Sequence, residues 1–247
     1  MLLNNKTIII TGASRGIGKA LAHRLMKEEV NLVLVARSQD SLQEVLKGKK
    51  NNHKYYVCDL SDKNQTLKLA AKIKKDYQSI DMLINVAGIG VYKPIGELTY
   101  GEWDHSFDLN VTASFILIKE LMPLLCKNKD SLVMNIGSGA GVIPMKNRVA
   151  YCSTKFAMRG MTLSLAEEYK DKPPFFCLIT LGSTLTEFGI GNAFTLKEKI
   201  EKSKQGSAYF TTKWVADKLV EIMENDNRQT EYVFYPGDYG MGTWKKP

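Results

Sequence analysis

The chain is poor in the residues that carry metal and disulfide chemistry. Among 247 residues there are three histidines (His23, His53, His105) and four cysteines (Cys58, Cys126, Cys152, Cys177). The cysteines are widely separated and form no CxxC pair. That argues against a disulfide framework and for reduced intracellular thiols. The histidines have no spaced partners, so no metal site is expected. No apolar run is long enough to span a bilayer, and the first residues enter an apolar strand without a signal-peptide layout. The expectation is a cytoplasmic protein with no membrane partner. The formal charge is +8, yet Lys and Arg form no block of five or more. Dispersed charge of this kind argues against nucleic acid and points to anionic ligands.

Short apolar runs at 7–10, 31–36, 54–58, 81–86, 131–137, 175–180 and 231–235 alternate with amphipathic patterns. The patterns fall near 17–29, 39–47, 63–78, 103–127, 152–170 and 212–225. Continuous apolar strands imply burial on both faces, as in a parallel sheet. The alternation predicts an α/β fold: a doubly wound parallel sheet with right-handed crossovers and helices on both faces. No repeat, low-complexity segment or second domain interrupts residues 1–247. The long irregular stretch 182–210 is a candidate lid over a site. Its Phe188, Ile190, Phe194 and Leu196 suit an apolar or acyl pocket, and equally a cover for the core. The charge run KEKIEKSK that follows reads as a solvated helix with i,i+4 pairs.

The first strand leads into TGASRGIG, residues 11–18, and then into a helix. Gly12, Gly16 and Gly18 allow a tight turn, close approach of a phosphate and close helix–strand packing. With Ser14, Arg15 and Ile17 between them, they form a candidate dinucleotide cradle whose helix amino terminus offers free N–H groups. The same letters spell G-x-S-x-G around Ser14, a hydrolase nucleophile elbow. Only eleven residues precede Gly12, however, and His105 falls in mid-helix rather than in a loop after a late strand. About twenty residues beyond the glycines, a dinucleotide fold places an acid for NAD or tolerates an arginine for a 2′-phosphate. Here Arg37 stands at that point, no acid follows until Asp40, and Arg15 adds a second cation. NADP(H) is the expected cofactor.

The segment YCSTK puts Tyr151 and Lys155 four positions apart, one turn along one face of a helix. Tyrosine, with an ordinary pKa of about 10, is a poor acid–base group at neutral pH unless a cation favours its phenolate. Lys155 is expected to lower that pKa towards the working range. Ser138 ends an apolar strand, at the carboxyl edge where such sheets place ligands. Asn110, a polar residue within a long helical pattern, reads by itself as structural or as part of a water-bridged proton path.

TGASRGIG, CDL (58–60), NVAG (85–88), LN (109–110), IGS (136–138) and YCSTK together resemble the short-chain dehydrogenase/reductase family, in order and spacing, over nearly the whole chain. The resemblance implies a Rossmann-like sheet of seven strands and a catalytic tetrad of Asn110, Ser138, Tyr151 and Lys155. Tyr151 would exchange the proton, Ser138 orient the substrate oxygen, Lys155 serve phenolate and ribose, and Asn110 hold a relay water. Asp59 and Leu60 would frame the adenine, although Asp59 suits a turn before Ser61 equally well. Asn85, Ala87 and Gly88 would shape the floor under the ribose, and Gly182, Thr184 and Thr186 would contact phosphate and carboxamide. The family also implies a homodimer or homotetramer packed through the two long helices.

Leu181 replaces the proline usual before Gly182, which predicts a looser approach to the lid. Val86 replaces a second asparagine, with little consequence expected. The implied reaction interconverts a carbonyl and an alcohol. Substrates include a 3-oxoacyl thioester, since Lys129 and Lys172 occupy places where reductases of this family dock an acyl carrier. A cofactor-sensing binding protein with little turnover is the alternative; the intact tetrad argues against it.

Overall fold

The structure is a computed structural model that describes residues 3–48, 53–189, 195–205 and 209–235. Seven strands pair in parallel in the order β3-β2-β1-β4-β5-β6-β7. They are β1 (Thr7–Thr11), β2 (Asn31–Ala36), β3 (Lys54–Val57), β4 (Met82–Asn85), β5 (Leu132–Ile136), β6 (Phe175–Leu181) and β7 (Glu231–Phe234). The helices are α1 (Gly16–Leu25), α2 (Gln39–Leu46), α3 (Lys63–Asp76), α4 (Tyr100–Phe107), α5 (Ala113–Leu125), α6 (Val149–Glu168), α7 (Leu196–Lys204) and α8 (Thr212–Glu224). Among the described residues, no helix is long and apolar enough to cross a membrane.

Alternation along β1 shows why both faces need cover. Ile8 and Ile10 pack into a core with Leu21 and Leu25 of α1 and Leu219 of α8. Ile9 points the other way, towards Leu69 and Ile73 of α3 and Leu117 and Leu121 of α5. All three isoleucines are fully buried. The chain runs outward from β1 through β2 to β3, then returns to place β4 on the other side of β1. A topological switch point therefore lies between β1 and β4, where the carboxyl ends of such strands leave a crevice.

The long helical pattern of 103–127 is in fact two helices. α4 and α5 are joined by a π turn at Asp108–Thr112, with Asn110 at its centre. π turns widen the backbone ladder and recur at functional sites. Leu181 also departs from expectation. It closes β6, pairs with Phe234 and is 5% exposed in the core, where a proline would have no N–H to offer the sheet. α6 is tied to the sheet edge by a two-pronged contact, Arg159 Nε and Nη2 donating to the Glu231 carboxylate at 3.0 and 2.9 Å.

β4 and β5 share a buried polar chain: Asn85 Nδ2 donates to Asn135 Oδ1 at 2.8 Å, and Asn135 Nδ2 donates to Thr162 Oγ1 at 2.9 Å. Asn85 Oδ1 has no partner among the described residues, so the chain already carries one unpaired acceptor. Asn135→Leu would leave the Asn85 amide hydrogens unpaired as well. A loss of about 2 kcal/mol is expected, the range for stranding a buried donor. It would appear as a lower urea midpoint at unchanged slope; an unmoved midpoint would contradict the role given to this chain.

Candidate active site

The crevice at the switch point opens into a cavity of 1320 Å³. One wall is the β1–α1 turn. Gly12 and Gly16 adopt left-handed φ values of 66° and 54°. A Cβ on Gly12 would stand 2.9 Å from the Ala87 backbone, and one on Gly18 would stand 2.2 Å from Gly12 O. Thr11 Oγ1 accepts from both Val86 N and Ala87 N at 3.1 Å, which fastens the end of β4 against this turn. Helix α1 begins at Arg15 with no side-chain cap and no acid in its first turn. The turn therefore fits a phosphate: bare backbone at close quarters, free N–H groups and no competing anion.

Gly12, Ser14, Arg15, Gly16, Ile17, Arg37, Leu60, Ala87, Gly88, Ser138, Tyr151, Lys155, Gly182, Thr184 and Thr186 all line this cavity. Gly18 lies behind the turn as a packing residue. Asp59 and Asn85 are placed differently. Asp59 Oδ1 accepts from Ser61 N and Ser61 Oγ at 3.0 and 2.7 Å, the turn role open to it from sequence. Burial works against its charge, but the Ser61 bonds and the Arg37 charge hold its carboxyl below the usual value. Asn85 is turned into the sheet towards Asn135, not to the cavity floor.

Tyr151 and Lys155 rise from the first turns of α6 and are 7% and 6% exposed. Asn110, 1% exposed, secures their height. Its Oδ1 accepts from Ile89 N at 2.7 Å, and its Nδ2 donates to Ile89 O at 2.8 Å and to Thr154 Oγ1 at 3.0 Å. Thr154 Oγ1 donates onward to Tyr151 O at 2.8 Å. Both amide hydrogens of Asn110 are thus used, so a relay water would depend on its backbone carbonyl. Ser138 Oγ accepts from Ala140 N at 3.2 Å, and Ser138 lines the cavity together with Tyr151.

The expected lowering of the phenol pKa by Lys155 is not what this pocket does by itself. Lys155 Nζ donates to Ile136 O at 2.7 Å, with its nitrogen 5.8 Å from the Tyr151 ring centroid. Burial raises the Tyr151 pKa far above its ordinary value, with Tyr92 adding to the shift and Ser138 and Arg148 opposing it. Burial also lowers Lys155, from 10.5 to about 8. Desolvation disfavours both charged forms, and it outweighs the attraction between them.

Several residues of the cavity carried no clear signal in the sequence. Tyr92 packs edge-on against Tyr151 with centroids 5.6 Å apart, and Phe188 lies on its other side at 5.5 Å. Arg148 stands three residues before Tyr151, a spacing that could have drawn notice. Lys199 belongs to the run read as a solvated helix. The helix exists as α7, but Lys199 is 7% exposed and faces the cavity. Of the apolar lid residues, Phe188 and Leu196 line the cavity, while Ile190 and Phe194 lie outside the described residues. Lys129 and Lys172 are exposed beside the amino ends of β5 and β6, whereas Ser138 and Gly182 follow the carboxyl ends.

The Lys155 shift has a consequence for stability. The folded chain releases the Lys155 proton near pH 8, and the unfolded chain near 10.5. Between those values the unfolded state binds more protons, so folding becomes more favourable as pH rises. Relative to Lys155→Met, the parent should gain on the order of 3 kcal/mol from pH 8 to 10.5. Urea midpoints of both proteins across that range would measure it; a difference independent of pH would contradict the burial cost.

Comparison with known proteins agrees with this geometry. Residues 6–191 match the family described as short chain dehydrogenase. A 3-oxoacyl-acyl-carrier-protein reductase FabG of Rickettsia conorii is 33% identical over 166 residues, 67% of this chain and 67% of the relative. An NAD-dependent glycerol dehydrogenase of Listeria innocua is 30% identical over 167 residues, 68% of this chain and 66% of the relative. A metagenomic short-chain oxidoreductase solved in complex with NADP superposes with a TM-score of 0.79 at 25% identity, over 95% of this chain and 99% of that one. Motif order, sheet topology and the match over three quarters of the length lead to one conclusion: the chain belongs to the short chain dehydrogenase family of oxidoreductases.

Proposed function

We propose that the protein transfers hydride between NADP(H) and a carbonyl or alcohol, with Tyr151 exchanging the proton. The observation that carries this reading is that Ser138, Tyr151, Lys155 and the glycine turn all line one cavity. The dinucleotide supplies or accepts the hydride, and in its oxidised form brings a positive charge into the site.

Gly12, Gly16 and the start of α1 hold the pyrophosphate, and Arg15 and Arg37 hold the 2′-phosphate. Leu60, Ala87 and Gly88 bound the adenosine half, while Gly182, Thr184 and Thr186 bound the nicotinamide half. Ser138 orients the substrate oxygen. Tyr151 donates its proton to that oxygen on reduction and takes one on oxidation. Lys155, once turned from Ile136 O to a ribose hydroxyl, adds the cation that the buried phenol lacks. Asn110 fixes the spacing of these groups and offers its backbone carbonyl to a relay water. The described residues of segment 182–210 that line the cavity, from Gly182 to Phe188 together with Leu196 and Lys199, form the lid.

The family name of the Rickettsia relative supports including 3-oxoacyl thioesters among trial substrates. Lys129 and Lys172 support carrier docking less well, since they lie at the far ends of the strands. Exposed Phe115 on α5 and Phe156 on α6 favour a homodimer or homotetramer packed through these helices. The absence of a membrane-spanning helix among the described residues is compatible with a cytoplasmic enzyme.

Two measurements test this reading. Fluorescence titration should show NADPH binding at least about tenfold more tightly than NADH, the scale of one charge-assisted phosphate contact. Arg37→Asp should abolish that preference; an unchanged ratio would remove Arg37 from the cofactor site. Tyr151→Phe should reduce turnover of any accepted carbonyl by about 10²-fold or more, the usual share of general acid–base catalysis, while NADPH affinity stays near that of the parent. Parent-like turnover by this variant would rule out the proton role.

A further inference from the structure

The substrate end of the cavity has a charge pattern that hydride transfer does not require. Arg148 and Lys199 line it together with Tyr92, Met145, Tyr151 and Phe188. The Arg148 guanidinium carbon stands 4.4 Å from the centroid of the Tyr92 ring, and its Nη1 donates to Met145 Sδ at 3.4 Å. Tyr92 in turn touches Tyr151, so the cation is one ring removed from the reacting hydroxyl. Lys199 Nζ donates to the carbonyls of Thr186 and Phe188 at 2.9 and 3.2 Å. Both cations line this cavity, and they come from different elements: Arg148 immediately before α6, Lys199 on α7.

Among the described residues no carboxylate neutralises them, and neither forms an ion pair. The acid lining the cavity, among the described residues, is Glu187, which is exposed. Burial, and then the charge of Arg148, lowers the pKa of Lys199, so the two cations repel each other. The start of α6 adds to the positive potential. It begins at Arg148 with no side-chain cap and no acid in its first turn, as α1 does at Arg15.

A purely structural reading accounts for part of this. Lys199 latches the lid by bonding two carbonyls, and arginines often stack on tyrosine. A latch needs only neutral donors, however, and holding a buried and a half-buried like charge in one cavity without a counter-charge is costly. Arg15, Lys19 and Arg37 line the same cavity; under the proposed function the dinucleotide phosphates would meet Arg15 and Arg37, which leaves Arg148 and Lys199 for another anion.

We infer that the substrate carries a compact anion, a carboxylate or a phosphate, which Arg148 and Lys199 hold beside the Tyr151 hydroxyl. This rests on the hydride-transfer reading for the identity of the reacting carbon, while the anion site can be tested without turnover. The substrates that fit are short oxo or hydroxy acids, or their phosphate counterparts. The apolar faces of Tyr92 and Phe188 would cover the carbon chain, and the two cations would take its charged end.

The test is calorimetric titration of the NADPH-loaded protein with butyrate, its neutral isostere butyramide, and propyl phosphate. Butyrate should bind at least about tenfold more tightly than butyramide, the scale of a charge-assisted bond in a half-buried site. That ratio should fall towards one in Arg148→Gln and, separately, in Lys199→Gln, so a lid disturbed by the second change does not decide the matter. Tighter binding of propyl phosphate than of butyrate assigns the site to phosphate, and the reverse assigns it to carboxylate. Equal binding of butyrate and butyramide, or a ratio unmoved in both variants, overturns the inference. NADPH oxidation by acetoacetate and by the neutral ketone 2,3-butanedione, run on the same preparation and counted as failing only if neither is reduced, reports on hydride transfer separately. If oxidation fails while butyrate is still preferred, the proposed reaction falls and the anion site stands. If oxidation proceeds while the two isosteres bind alike, only the anion site falls.

Discussion

The side-chain amide of Asn110 is the constraint on which the site depends. It completes a two-way bond with the backbone of Ile89 beyond β4, then spends its remaining hydrogen on Thr154 of α6. Thr154 passes the contact to the carbonyl of Tyr151. One buried amide thus sets the distance between the loop after β4, the π turn and the face of α6 that carries Tyr151. Gly88 is part of the same fit, because a Cβ there would stand 3.1 Å from Asn110 Oδ1. The π turn has a physical reason in this arrangement. It places a side chain that would otherwise follow the α4–α5 helix where it can meet the loop edge to edge.

Burial gives the site its shape and also its latent chemistry. Dry surroundings push the Tyr151 phenol up and the Lys155 ammonium down, the reverse of what proton exchange at neutral pH needs. The protein supplies position; in the proposed reaction a bound dinucleotide would supply the remaining charge and a ribose hydroxyl for Lys155. The same dryness makes the uncompensated cations at Arg148 and Lys199 informative, since in open water they would be unremarkable surface charges.

The sheet and its order of elements were legible because parallel strands buried on two faces read as continuous apolar runs. The glycine turn was legible because close backbone approach leaves few residue types open. What escaped the sequence shares one character: it depends on contacts across elements. A π turn has no composition of its own, so residues 103–127 read as one helix. Lys199 looked solvated in a run of alternating charge, and only the fold turns it inward. Leu181 seemed to loosen the approach to the lid, yet it completes β6 and enters the core. Asn85 stood in the expected motif, but its amide found Asn135 on the next strand. Arg148 sits beside a recognisable motif without belonging to it, which is why motif reading passed over it.

The most direct test of hydride transfer at Tyr151 is a crystal structure of the protein with NADP⁺. The pyrophosphate should lie on the Gly12–Gly18 turn, the 2′-phosphate between Arg15 and Arg37, and Lys155 Nζ on the nicotinamide ribose instead of Ile136 O. The reacting carbon of the nicotinamide should then face the gap between the Ser138 and Tyr151 hydroxyls. A dinucleotide bound elsewhere, or one whose nicotinamide points away from Tyr151, would contradict the assignment of this cavity as the site of reaction.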